Sequence, residues 1–174
     1  MSEAIYLPDP DGNGIELYAD RPREQWPPVQ GGERVAMFTR ALDLQGLLAA
    51  APGDEPSRHA DPGLRMGHVH LHVGDLDAAR RFYADVVGFE VMTSMPSALF
   101  LAAGGYHHHL GANTWRGEGV GPAPAGTVGL REWTMVLDPE PLAALRARLT
   151  AARLGDDDVV ADPSGIRVRL VAAG

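Results

Sequence analysis

Polar and apolar residues alternate strictly over the seven positions from Gly67 to Val73, with His68, His70 and His72 on one face and Val69, Leu71 and Val73 on the other. A period of two predicts a strand with one buried and one polar side. Asp75 then stands where a helix N-cap belongs. Leu76, Ala79, Phe82 or Tyr83, and Val86 follow at helical spacing through about Val87. Gly88 comes where a left-handed residue ends a helix. Three further apolar runs, Phe89 to Ser94, Ala98 to Ala102 and Tyr106 to Trp115, read as strands. Residues 66–116 therefore predict a β-α-β-β-β module.

A Gly/Pro/Ala stretch, Gly117 to Gly126, separates this module from a shorter relative of it over residues 127–174. The second module has a strand at Leu130 to Leu137, a helix from about Pro139 to Arg153, a short strand near Val159 and a closing strand at Ile166 to Val171. Pro139 and Pro141 suit the first turn of that helix, where a missing N–H costs little. The tail also repeats the head. Asp9-Pro-Asp-Gly-Asn-Gly-Ile-Glu-Leu17 matches Asp162-Pro-Ser-Gly-Ile-Arg-Val-Arg-Leu170, each a Pro/Gly turn leading into a strand-like run. Glu16 in the first copy aligns with Arg169 in the second.

Residues 1–19 thus look like the turn and last strand of a preceding module, and 65–174 like one two-module domain. Residues 20–64 are a linker in composition, with Arg-Pro-Arg, Trp-Pro-Pro, Gly31-Gly32 and Ala-Pro-Gly-Asp-Glu-Pro56. A short helix, Leu42 to Ala51 with Asp43 as its cap, interrupts it. A lone N-terminal strand cannot satisfy its own backbone groups, so it is expected to be disordered or to pair with another chain. A homodimer is the corresponding expectation.

At 174 residues and 45% hydrophobic content, the chain can bury a sizeable core. There is no cysteine, hence no disulfide, thiolate nucleophile or Cys-based metal site. Neither a signal segment nor a membrane-length apolar run is present, and a cytoplasmic location without membrane attachment is expected. The net charge of −8 argues against nucleic acid as a partner. Hydrolase and nucleotide-binding motifs are missing. Arg80-Arg81 and Arg146, Arg148 and Arg153 read as solvated helix surface; Trp115 and Trp133 read as core.

Six of the seven histidines fall in two clusters, His68/His70/His72 and His107/His108/His109. Residues i and i+2 on a strand place Cβ atoms roughly 6.5–7 Å apart. Two imidazoles at that spacing can converge on one metal at about 2.1 Å each. If Tyr106 to Trp115 is a strand, His107 and His109 share a face and His108 lies opposite; which face turns inward is left open. The bland alternative is that the histidines bond one another, the backbone and water. Tyr106 and Asn113 flank the second cluster.

Gly-His-Val-His-Leu-His-Val, a helix with Phe-Tyr before Gly-Phe, and the paired modules resemble the vicinal oxygen chelate superfamily. That group includes glyoxalase I, bleomycin-resistance proteins and type I extradiol dioxygenases. Leu-Pro-Asp-Pro-Asp-Gly-Asn-Gly-Ile-Glu-Leu-Tyr with Asp-Arg-Pro, and Gly-Gly-Tyr-His-His-His-Leu-Gly-Ala-Asn-Thr-Trp, resemble the C-terminal part of catechol 2,3-dioxygenase-like proteins. The resemblance implies an α+β fold of paired βαβββ modules, forming a cupped, mixed but largely antiparallel sheet with an extra N-terminal strand.

It also implies a two-histidine, one-carboxylate metal set drawn from first and last strands. His68 matches the first-strand histidine. Glu132 stands where the second histidine would be, and Arg169 where the glutamate would be. Glu16 matches the glutamate, but in a module whose histidine strand is not in this chain. The candidate ligands for Fe, Mn or Zn are accordingly His68, His109, Glu132 and Glu16. An Arg169–Glu132 pair in place of a metal is the alternative. A small aromatic or catechol-like molecule is the expected ligand. The functional expectation is a relative of ring-cleaving dioxygenases, as its non-catalytic or degenerate C-terminal domain, or else a metal-free binding module.

Overall fold

The computed structural model describes residues 1–29, 34–51, 53, 57–155 and 157–174. The Gly31-Gly32 pair and most of the Pro/Gly/acidic run at 52–56 of the expected linker lie outside the described residues. Within the linker, α1 (Leu44–Ala50) forms where expected, and the Asp43 side chain accepts from the Gly46 N–H at 2.9 Å. None of its residues is buried. No helix among the described residues is long and apolar enough to cross a membrane.

The chain opens with an antiparallel hairpin, β1 (Ser2–Pro8) and β2 (Gly14–Asp20), paired from Ser2↔Asp20 to Pro8↔Gly14. Asp9 builds the turn: its Oδ1 accepts from the Asp11 and Asn13 N–H groups at 2.9 and 2.7 Å. This corrects the expectation of a lone strand. Residues 2–8 supply a ladder partner within the same chain, which removes the physical reason for seeking one in a second copy.

The first module runs β3 (Val69–His72), α2 (Leu76–Arg80) continuing as a π-helical turn over Arg81–Val87, β4 (Glu90–Met95), β5 (Ala98–Ala102) and β6 (Leu110–Asn113). Its sheet order is β3-β6-β5-β4, parallel only between β3 and β6. Asp75 caps α2 by accepting from the Ala78 N–H at 2.9 Å. Gly88, at φ +97°, ends the helical stretch in the left-handed region that L side chains avoid.

The second module is β7 (Glu132–Leu137), α3 (Pro139–Ala151), β8 (Val159–Ala161) and β9 (Arg167–Ala172), ordered β7-β9-β8. It carries three strands among the described residues, one fewer than a full βαβββ unit. The fold is α+β with paired modules and mixed sheets, as expected.

One apolar core joins the modules. Leu142, Leu145 and Leu149 put one face of α3 into a buried cluster that also holds Leu71, Tyr83, Leu101, Leu110 and Val168. Each such buried side chain contributes about 1.5–3 kcal/mol. Polar bonds fix the register of the packing. Arg148, expected to be surface, donates to the Val86 and Val87 carbonyls at 2.7 and 2.8 Å, satisfying the end of the preceding helix. The buried Tyr83 hydroxyl donates to Asp162 Oδ2 at 2.8 Å. Asp162 Oδ1 accepts from Ser164 and Ile166, so the second Asp-Pro turn anchors one module to the other.

A histidine-rich candidate metal centre

The hairpin lays one face on the first module. Tyr6, Glu16, Tyr18 and Asp20 share that face, because β1 and β2 pair Tyr6 with Glu16 and Ala4 with Tyr18. Ile5, Leu7, Ile15 and Leu17 point the other way and are exposed. Glu16 Oε2 meets His68 Nε2 at 2.7 Å, while the Tyr6 hydroxyl donates to Glu16 Oε1 at 2.8 Å. Burial raises the Glu16 carboxyl, but the bonds from His68 and Tyr6 outweigh it and hold the group below its ordinary value. The Tyr18 ring stacks on His68 with centroids 5.0 Å apart. A side chain at Gly67 would run into the Tyr18 phenol, so the bare backbone there admits the ring.

His107 and His108 complete the cluster. The ring of His108 lies 4.3 Å from that of His68 and 4.8 Å from that of His107. One ring nitrogen from each of His68, His107 and His108 lies within 4.8 Å of the other two. All three side chains are nearly inaccessible, yet His68 Nδ1, both nitrogens of His107 and His108 Nδ1 have no hydrogen-bond partner among the described residues. Unpaired polar atoms in a buried site cost free energy unless something else binds them. Burial lowers His107 and pushes His108 down to about 2, with neighbouring histidines adding to the effect in both. Both rings are therefore neutral near pH 7 and keep a lone pair to offer. Asp20 Oδ1 approaches His107 Nδ1 only to 3.5 Å, too far for a good hydrogen bond.

Two phenols close the rim. Tyr106 donates to Asp20 Oδ2 at 2.7 Å, so the 2.9 Å contact between the Tyr18 and Tyr106 hydroxyls is a bond donated by Tyr18. Burial, with the carboxylate beside it, raises the Tyr106 phenol far above its ordinary value.

The four expected ligands do not meet. Glu16 joins His68, but His109 and Glu132 stand apart. His109 Nδ1 accepts from the Ala103 N–H at 3.2 Å, and its ring lies against Phe89 and Tyr106. Arg169 grips Glu132 through two bonds, Nε to Oε1 at 2.7 Å and NH2 to Oε2 at 3.2 Å, and Arg167 adds a contact at 3.2 Å. The Arg169 bond is the main reason Glu132 sits below its usual range. The carboxylate is already satisfied by guanidinium.

The error at 107–109 has a clear cause. These residues precede β6 rather than forming part of it, so strand alternation does not apply and two consecutive side chains point at His68. Gly104 and Gly105, both at positive φ, are the signal that the strand starts late.

An α+β pair of sheet modules carrying a buried histidine cluster beside a carboxylate defines the class of protein. A family model described as bleomycin resistance protein-like N-terminal matches residues 65–100. The chain is 50% identical over 139 residues to the catechol-2,3-dioxygenase of Bacillus subtilis (strain 168); the match covers 79% of this chain and 48% of that protein. The chain thus spans about half the length of that relative. Crystal structures with the same fold include a glyoxalase/dioxygenase from Nostoc punctiforme, at TM-score 0.54 and 15% identity, covering 69% of this chain and 99% of that one. Another is lactoylglutathione lyase from Agrobacterium tumefaciens, at TM-score 0.50 and 21% identity, covering 65% and 96%. The chain belongs to the vicinal oxygen chelate superfamily.

Proposed function

We propose that the chain holds a divalent metal ion through His68, Glu16 and one or both of His107 and His108, as part of a ring-cleaving oxygenase acting on catechol-like molecules. The observation that carries this is a trio of buried histidines, one ring nitrogen of each within 4.8 Å of the others and several of their nitrogens unpartnered among the described residues, with the Glu16 carboxylate bonded to His68 Nε2. Two or three imidazoles with one carboxylate suit Fe(II) or Mn(II), and also Zn(II). When bound, such an ion supplies Lewis-acid binding of vicinal substrate oxygens and a place for dioxygen.

The chain's own residues do the rest. Tyr6 and His68 hold Glu16 ionised, Tyr18 fixes the His68 ring by stacking, and Tyr106 retains its proton against Asp20. Burial of His107 and His108 keeps bulk water from the ligand atoms. The name of the Bacillus subtilis relative supports the substrate class. Its greater length supports reading the hairpin as the last two strands of a module that a longer protein would contain.

A second reading has its own observation. The Arg169–Glu132 pair occupies the positions where the family resemblance puts a histidine and a glutamate, so the second module contributes no ligand of its own. On that reading the cup between the modules binds small molecules without metal.

Elemental analysis of the untagged chain tests the first reading. About one iron, manganese or zinc per chain, lost in His68→Ala, is the expected result; ring-cleavage assays with added iron then follow. A chain that stays metal-free after anaerobic loading with Fe(II) and Mn(II) sinks the oxygenase reading.

A further inference from the structure

Beside the metal centre, the other two histidines of the first cluster are organised by one amide. Asn113 is fully buried on β6 and bonds both His70 and His72 across the β3–β6 pair. The Trp115 backbone N–H donates to Asn113 Oδ1 at 3.0 Å. A backbone N–H can only donate, so that atom is the oxygen and the amide orientation is fixed.

The tautomers follow. His72 Nδ1, 2.8 Å from the same Oδ1, must carry a proton and donate. Asn113 Nδ2, 2.8 Å from His70 Nε2, must donate to it, so His70 carries its proton on Nδ1. Two ring atoms remain without a bond to the described residues: the His70 Nδ1–H, a donor, and the His72 Nε2 lone pair, an acceptor. Both residues are exposed, although their bonds to Asn113 lie at the part-buried edge of the sheet.

An aromatic wall stands beside them. Trp115, expected in the core, is 63% exposed. Its indole lies 5.4 Å from the His70 ring and is tethered through Nε1 to Ser97 Oγ at 3.3 Å. Phe100 meets His70 edge-on at 5.9 Å. Gly111 makes room, since a Cβ there would lie 2.8 Å from His70 Nδ1. An exposed indole held in place next to one fixed donor and one fixed acceptor is the composition of a small-molecule site.

We propose that Trp115, His70 and His72, oriented by Asn113, form a metal-independent binding site for a planar aromatic that offers one O–H donor and one oxygen acceptor. The phenolic O–H is received by His72 Nε2, the acceptor oxygen takes the His70 Nδ1–H, and the ring lies on Trp115. Chelation of vicinal oxygens plays no part, so the site goes beyond the proposed metal chemistry and does not depend on it.

The test uses the full chain stripped of metal with EDTA. The probes are 4-hydroxyacetophenone and its O-methyl ether, neither of which presents vicinal oxygens. Calorimetric titration is expected to show saturable 1:1 binding of the phenol, and at least about tenfold weaker binding of the ether, which lacks the donor. Trp115→Leu and His72→Phe, both at exposed positions, are expected to weaken the phenol by about tenfold or more, while metal content on reloading stays unchanged. Equal affinity for phenol and ether, affinity unaltered by either substitution, or binding that requires restored metal would each overturn the proposal. Loss of metal binding with phenol binding intact would instead count against the oxygenase reading alone.

Discussion

Two carboxylates expected from the sequence as metal ligands meet opposite fates. Glu16, on the hairpin, faces His68; Glu132, on β7, faces Arg169, the residue that aligns with Glu16 in the repeat. Arginine is always charged and offers a planar fork, so it consumes both oxygens of Glu132 and leaves the pair complete in itself. Histidine is neutral in much of the physiological range and bonds through one nitrogen at a time. Its other nitrogen remains, and around Glu16 several such nitrogens remain together. A single change of partner, imidazole or guanidinium, thus separates an electrostatically closed module from one with unspent ligand capacity.

The comparison breaks most sharply at the metal. Glu16→Ala or His68→Ala is expected to reduce bound metal by at least about tenfold, since each removes a ligand whose loss the remaining set cannot replace. Glu132→Ala is expected to leave it unchanged. Elemental analysis of the three variants, loaded side by side, decides. Equal loss in all three would mean that Glu132 belongs to the site after all.

A smaller effect probes what holds the modules together. Tyr83→Phe removes a buried bond to a carboxylate that links the first module to the second, and is expected to cost about 1.5–3 kcal/mol in chemical denaturation. Metal content should stay the same, because Tyr83 lies on the core side of the sheet rather than the histidine side. A change below about 0.5 kcal/mol would show that the junction rests on apolar packing alone.

The smallest effect is the pH response of the closed pair. Arg169 lowers Glu132 below its ordinary carboxylate value, so the pair stabilises the fold above the unfolded-state value and loses that contribution as pH falls through the folded one. Glu132→Gln should therefore melt slightly below the parent chain at pH 7, with the two curves merging at about pH 3 or below. Because the pair is largely solvated, the gap should also shrink with salt. A gap that persists in acid would assign it to packing rather than charge.

Much of this was legible in the residues where local chemistry decides the outcome. The alternation through His68–Val73, the Asp43 and Asp75 caps and the left-handed Gly88 all formed as their types demand. What escaped was set by partners distant in sequence. Ser2–Pro8 is a short run ending in proline, and only the register with Gly14–Asp20 makes it a strand. Arg148 looks like any surface cation until the Val86 and Val87 carbonyls arrive beside it. Trp115 lies past the end of β6, so strand logic wrongly assigned it to the core. At the candidate site, His68 and Glu16 were visible as candidates. The pairing of His107 with His108 was not, because it depends on where an irregular segment gives way to β6.

The contact between Glu16 and His68 joins residues 52 positions apart, and most of the chain between them is the linker. In thermodynamic terms that stretch is a tether. Part of it is docked, with Val35 buried against Met92, its carbonyl accepting from Thr93, and the Trp26 ring edge-on to His107, so it holds the hairpin near the histidines without contributing a ligand itself. A single protease cut in the linker would leave every side chain of the site intact on one fragment or the other. Assembly would nevertheless become bimolecular, and metal retention would then depend on protein concentration, falling on dilution in a way the uncut chain never shows.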